Sequence, residues 1–474
     1  MITSIKQIYT ISITFLMLIA FVVFKFPVYY GLLLPATLIV IALFIFSLDK
    51  LLILIAFCTP LSVELMLGTA GINLPDEPMM FAFSLLFFLK LWQEPPAFKT
   101  IFKNPLTICV IVFYFWLIIT SLSSSIPLVS FKFLLAHFWF IGTGFLWGFF
   151  IFQKSQNIKN FIISYGLGLC LIVYYTSIRH WQRGFSQKSG TFVMNPFFDD
   201  HTVYSAVCAM IFVFAIVLII KGRAYLSSLN FIFLLIIAAS TTVGILLSYS
   251  RAAWLSILIT LGFAILLKWQ IKFKTIIIGL ILAASIALLF QNQIYQSIRF
   301  NKVASGKTLA GDLKSISNIS TDDSNVERLN RWKSAWRMFQ EKPFWGYGPG
   351  TYQFQYSGYQ RAHEMTSIST TTGDMGGIHS EYLRPLIESG VIGLLTFLML
   401  VFTVIKLLLT VIYQSPDKQL QLYAQAVLLS LATYLMHGFL NNFLDQDKAA
   451  LIFWALLGMT AAIYHQYTNQ KTLI

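Results

Sequence analysis

The stretch DHTVYSAVCAMIFVFAIVLII, residues 200–220, decides what kind of molecule this is. From Thr202 to Ile220 it carries no charged side chain. About twenty predominantly apolar residues are what an α-helix needs to cross roughly 30 Å of hydrocarbon. The rest of the chain has the same character. Of 474 residues, 57% are hydrophobic and 11% charged, whereas soluble domains carry about 25% charged residues. The sequence therefore reads as an all-α polytopic membrane protein.

Working outward, fourteen stretches have the length and composition of spans: 7–24, 28–46, 51–67, 78–92, 105–122, 130–152, 159–178, 200–220, 228–247, 251–268, 274–291, 384–412, 420–440 and 448–466. Two of these, 51–67 and 78–92, are short enough to be re-entrant, so the expectation is twelve to fourteen transmembrane helices. The first apolar run lacks a small-residue cleavage site and leads into a second span, so it reads as a helix rather than a signal peptide. Four cysteines (Cys58, Cys109, Cys170, Cys208) fall inside apolar runs without metal-ligand spacing and read as small buried hydrophobes. The formal net charge of +14 sits mostly at helix ends, which excludes nucleic acid as its reason.

Orientation follows from the basic residues. With a cytoplasmic N-terminus, Lys50, Lys99, Lys103, Lys154, Lys159, Lys221, Arg223, Lys268, Lys272, Lys274, Lys406 and Lys418 fall inside. The short outer connections hold Lys25, Arg179, Arg183, Lys188 and Lys448. That asymmetry predicts both termini on the cytoplasmic side. The chain divides into N-terminal helices (1–178), a central helical part (179–291) that includes the outer loop 179–200, one large partly helical outer loop (292–383), and C-terminal helices (384–474). A loop this long is uncommon unless it folds and works.

Polar chemistry collects on the outer side. In SYSRAAWLS, residues 248–256, Arg251 opens a span, either as a snorkelling anchor paired with Trp254 or as an anion contact. In residues 325–350, Leu329, Trp332, Trp336 and Phe339 recur at helical spacing, with Asn325 as N-cap and Pro343 and the glycine-rich GYGPG as the stop. Arg328 and Arg331 lie on one face beside that stripe, as a solvated basic face or as forks for phosphate oxygens. The outer loop 179–200 adds Arg179, Arg183 and Lys188. Asp199 and Asp200 before His201 read as a helix cap rather than metal ligands. His379, in GGIHSEYLRPLIESGVIGLL (376–395), stands where a polar loop becomes a span. It can serve structure or accept a proton near neutral pH. Pro385 should kink the following helix, and Gly390 and Gly393 let a neighbour approach.

Taken in order, these residues resemble the O-antigen ligase and polymerase superfamily of polytopic bacterial envelope glycosyltransferases. His379-Ser380, nine residues, Gly390, two residues and Gly393 fit the pattern H-[NSQ]-x9-G-x2-[GTY]. Ser250-Arg251-Ala-Ala-Trp254 is similar to the family's SRgaW segment, and Arg331-Trp332 through Pro343 and Gly350 to its R…W…P…GxGpG loop. One departure is Lys188, where the family leads one to look for an arginine just before Gly190-Thr-Phe192.

The resemblance implies a metal-independent glycosyltransferase with no cofactor in the bacterial inner (cytoplasmic) membrane, its site facing the periplasm. The donor would be a glycan on a polyprenyl diphosphate, drawn from among the membrane lipids, and the acceptor hydroxyl would belong to a lipid A core sugar. It also implies roles: His379 as catalytic base, and Arg251, Arg328, Arg331 and Lys188 as diphosphate contacts. The shared motifs leave a polysaccharide polymerase and a protein O-oligosaccharyltransferase open. A transporter would call for ionisable residues deep within spans, and Glu64 and His137 are the main cases.

Overall fold

Asn104 shows how these apolar runs become helices with defined ends. Its side chain accepts from the Leu106 N–H at 3.0 Å, and Pro105 occupies the first helical position, where a missing N–H costs nothing. Asp200, Ser227 and Asp417 cap their helices in the same way. The computed structural model describes residues 28–67, 70–270, 273–290, 323–366, 369–370 and 376–472. Two compact units are present, Met1–Leu54 and Ile55–Ile474. The expected span 7–24 lies outside the described residues.

The smaller unit holds α1 (Val28–Phe46) and the start of α2 (Leu48–Cys58). After it come the strands β1 (Val63–Leu67) and β2 (Ala70–Leu74), then α3 (Asp76–Gln93), α4 (Pro95–Phe102), α5 (Pro105–Leu122) and α6 (Pro127–Ile151). The central helices are α7 (Ser155–Trp181), α8 (His201–Lys221), α9 (Ser228–Leu247), α10 (Arg251–Lys268) and α11 (Phe273–Leu289). From the large loop the structure describes α12 (Asp323–Glu341). The C-terminal part is α13 (Leu383–Gln414), α14 (Lys418–His437) and α15 (Asp447–Thr472).

Among the described residues, eight helices are long and apolar enough to cross a membrane: α5 to α10, α13 and α15. This is a polytopic membrane protein. The stretch 51–67 is not a span, because α2 stops at Cys58 and β1 pairs antiparallel with β2, Glu64 facing Asn73. Glu64 thus lies on a hairpin, not in a transmembrane helix. α14 is absent from the eight, yet α13 and α15 both begin at the end of the bundle where the 376–382 loop meets residues 441–446. The connection between them must return through α14.

α8 is apolar on all sides and is buried accordingly. It packs between α9 and α14, with α7, α10 and α15 also in contact. Close helix contact elsewhere uses small residues. A Cβ on Gly144 would stand 2.8 Å from the Ala455 nitrogen, and one on Gly458 2.4 Å from the Gly144 carbonyl oxygen. The segment Ile141–Trp147 is a π-helix within α6.

Two local expectations shift. Asn325 lies inside α12, which begins at Asp323, so it is not the cap. Pro385 does not kink α13, since it is the third residue of the helix, where its nitrogen has no partner to lose. The break falls at Gly390, with φ 70° and ψ −173°. There the Val391 N–H bonds to the Pro343 carbonyl at 2.8 Å, and Tyr347 and Gly348 donate to the carbonyls of Ile387 and Glu388 at 3.1 and 2.8 Å. A Cβ on Gly390 would lie 2.0 Å from the Phe344 oxygen. The close approach at this glycine is therefore by the loop at 343–348, not by a second helix.

Candidate active site

The floor of the site is the loop 376–382 that feeds α13. His379 takes φ 54°, a left-handed conformation that a non-glycine residue holds only when its surroundings impose it. Here the His379 N–H donates to Asn442 Oδ1 at 2.9 Å, and Trp332 Nε1 donates to the Ile378 carbonyl at 3.1 Å. α12 lies against this loop. Ala335 and Met338 are buried with Tyr352, Tyr356, Ile378 and Ile387, while Trp332 and Phe339 are partly buried against them. Trp336 is exposed, so the apolar stripe read from spacing packs only in part, through Trp332 and Phe339.

That packed face carries Arg331, which is 8% exposed. Its Nε donates to Glu327 Oε1 at 2.9 Å, and its Nη1 to the Gly377 carbonyl at 2.9 Å and toward His379 Nε2 at 3.2 Å. A solvated basic face is thereby ruled out for Arg331. A guanidinium has no acceptor, so Nε2 must be the accepting nitrogen. Nδ1 then carries the proton, and the Asn441 side chain also hydrogen-bonds the imidazole. Burial, followed by the positive charges of Arg328 and Arg331, pushes the imidazole down to about 3. His379 is thus neutral at physiological pH. Glu327 is held below the usual carboxylate range: burial pushes it up, and hydrogen bonds from Ser369, Arg331 and Thr366 outweigh that push.

His379, Arg331, Asp200, Arg384, Glu388 and Asn442 face a common cavity of about 260 Å³. Arg328 is close enough to weigh on His379, and its Nε donates to the Leu440 carbonyl at 3.2 Å. Arg251 opens α10, half-buried, outside the walls of this cavity. Its neighbour Trp254 donates to the Ile245 carbonyl at 3.1 Å. Lys188 is exposed on the turn Gln187–Gly190. That turn packs on the approach to α10, because a Cβ on Gly190 would meet the Tyr249 ring, and Tyr249 Oη donates to the Phe185 carbonyl at 3.0 Å. The structure thus brings His379, Arg331 and Arg328 together, and gathers Lys188 and Arg251 on adjoining segments.

Asp200 is a cap, as its place before α8 suggests. Its carboxylate accepts from the Thr202 N–H at 2.9 Å and hydroxyl at 2.8 Å, and meets His201 Nδ1 at 2.9 Å. Burial would raise its pKa, but the His201 contact and the Thr202 bonds hold it below the ordinary range. Among the described residues, no group of three or more His, Cys, Asp or Glu could hold a metal ion.

Residues that spacing did not single out build the frame. Arg384 bridges Glu388 Oε2 at 3.2 Å and Asp445 Oδ2 at 3.1 Å. Glu388 accepts from the N–H groups of Gly350 and Tyr352 at 2.8 and 3.2 Å, which fixes the GYGPG turn over the cavity. Glu381 is buried and gathers Tyr434 Oη and the N–H groups of Phe443 and Leu444 at 2.5, 2.5 and 3.0 Å. The signal was available: residues 384 and 388 share one helical face at the head of an otherwise apolar span, and Glu381 stands just before it.

Together these observations define a polytopic membrane protein with a half-buried, neutral histidine among arginines at one end of its helix bundle. The region that carries most of those groups has known counterparts. Residues 231–398 match the family model described as O-antigen ligase, and so the chain carries a domain of that family. The matched segment contains Arg251, Arg328, Arg331, His379 and Gly390, while Lys188 lies before it. An uncharacterized protein of Haemophilus influenzae is 24% identical over 185 residues, 38% of this chain and 43% of that protein. The match thus spans less than half the length of that relative.

Proposed function

We propose that the protein is a ligase-type glycosyltransferase. It moves a glycan from a polyprenyl diphosphate carrier to an acceptor hydroxyl, of a lipid A core sugar, at the periplasmic face of the inner membrane, with both termini cytoplasmic. The observation that carries the proposal is the His379–Arg331 contact inside a cavity of the O-antigen ligase segment. The acceptor hydroxyl gives its proton to His379 Nε2 while its oxygen bonds to the anomeric carbon. The bond from that carbon to the diphosphate oxygen breaks, and the lipid diphosphate leaves with the electron pair. Arginines near that oxygen stabilise the charge that develops there. Arg331 and Arg328 are nearest the base, and Arg251 and Lys188 supply further cations from the adjoining segments. Arginine forks do for the diphosphate what a divalent cation does elsewhere, so the reaction proceeds without a metal.

Nε2 receives the Arg331 guanidinium, so the base is free only after Arg331 turns away. A diphosphate is the group that would draw it. This orders the reaction: donor first, then acceptor.

The test is a cell that carries His379→Ala at normal expression. General-base removal costs about 10²–10⁴-fold, so lipid-linked glycan should accumulate above an uncapped core. A core bearing single repeats would point to a polymerase instead. An unchanged glycan profile would remove His379 from the mechanism.

A further inference from the structure

A second cavity, of about 500 Å³, lies beside the first, and Asp445 and Gln446 line both. It is enclosed by the β1–β2 hairpin, by α6 through Lys132 and Trp139, by residues 196–199, and by the start of α15. Its volume falls within the roughly 300–1,000 Å³ of small-molecule sites. Five of its lining side chains are carboxylates (Glu64, Glu77, Asp199, Asp445 and Asp447), against two lysines, Lys132 and Lys448. The balance is the opposite of what a diphosphate needs.

The chemistry of the walls says what fits. Carboxylates are acceptors, suited to ligand hydroxyls. Lys448 is already engaged: its Nζ bonds Asp447 at 2.9 Å and Ser62 at 3.0 Å. Asp445 gives one oxygen to Arg384 and is 38% exposed, which leaves an acceptor for the cavity. Trp139 lines the cavity, and its indole N–H is buried with no partner among the described residues. Phe197 and Phe198 add aromatic surface to the same wall. Hydroxyl donors for the carboxylates and an apolar ring face for the aromatic wall belong together in one class of molecule, an unphosphorylated saccharide.

We infer that this cavity is a saccharide subsite, which seats a sugar of one substrate while the reacting sugar occupies the cavity at His379. The inference rests on the transferase reading for the identity of that substrate, but not for the binding itself. The sugar belongs either to the acceptor or to the glycan of the donor, and both have the same chemistry.

Photo-crosslinking of the full-length protein in lipid nanodiscs tests it. The probe is an uncharged oligosaccharide that bears a diazirine, with the crosslinks mapped by mass spectrometry. Labelling is expected on residues 132–139 and on the 63–77 segment. Asp199→Asn and Trp139→Phe should each cut it several-fold without changing thermal stability. Competition by free core oligosaccharide would assign the subsite to the acceptor, and by lipid-linked glycan to the donor. Labelling that is confined to residues 376–379, is indifferent to both variants, or is competed better by a phosphorylated sugar would overturn the inference. A transfer assay on the same preparation separates the two claims. Labelling without transfer would leave the subsite and remove the transferase reading; transfer without labelling would do the reverse.

Discussion

The pH dependence of transfer should distinguish this histidine from an ordinary one. A fall from 6.5 to about 3 corresponds to about 5 kcal/mol against the charged form, at ~1.36 kcal/mol per pH unit. The neutral imidazole is the active form, so activity falls only as pH drops through the pKa of the free enzyme. An unperturbed histidine at pH 5 would be neutral in about 3% of molecules, an approximately thirtyfold loss. At a pKa near 3, about 99% remains neutral at pH 5. The expected result is a kcat/KM profile that is flat from pH 8 to 5, measured with a purified lipid-linked donor in nanodiscs. Removing one of the two positive neighbours, as in Arg328→Ala, should raise the pKa and move the acid limb upward. It should stay below 6.5, since burial is the largest cause. With donor bound, diphosphate charge near Nε2 should lift the limb of kcat above that of kcat/KM. An acid limb near 6.5 in the wild-type kcat/KM profile, unmoved by Arg328→Ala, would refute the assigned environment of His379.

Three further outcomes follow from the same contacts. Arg331→Ala strands the buried Glu327 carboxylate and should cost about 3–5 kcal/mol of stability, and adding Glu327→Gln should recover much of the lost Tm. If Arg251 meets the diphosphate, Arg251→Ala should lower kcat/KM by about ten- to over a hundredfold, or about 1.5–3 kcal/mol. Arg251→Lys should recover it in part, and full activity of Arg251→Ala would make the residue an interfacial anchor. Transfer should persist in EDTA; a loss reversed by magnesium would require a metal that the arginines do not replace.

The long spans were legible because composition alone specifies them: residues 200–220 admit no other environment. The hairpin was not. VELML (63–67) and AGINL (70–74) are short apolar runs, and a short apolar run has no period that separates strand from span. His379 could be picked out as a polar group at a membrane step, and Arg331 as a cation on a helix of the large outer loop. Their contact could not, because 48 residues separate them and no local spacing encodes it. Glu327 carries no mark in local spacing either; the bonds from Arg331 and Thr366 to its carboxylate are what make it a partner. The break in α13 was assigned to Pro385 because proline is the usual breaker. Gly390 took the role instead, since the loop at 343–348 bonds the carbonyls of Ile387 and Glu388 and fills the space that a Cβ at Gly390 would need.

α14 bears on how the protein is made. It carries Gln419, Gln421, Gln425 and His437 and is not apolar enough to rank with the eight spans, yet connectivity sends it across the bundle. Such a segment gains too little from lipid to partition into the bilayer alone. Its buried side chains meet α8, which precedes it by some two hundred residues and is apolar throughout, and the Ser430 hydroxyl donates to the Met210 carbonyl at 2.9 Å. During synthesis α8 must therefore already stand in the membrane when α14 emerges, to provide a protein surface where lipid would reject it. Insertion of α14 is then a docking event between helices rather than a partitioning event, and it is this step that brings His437 and the 441–446 segment to the site.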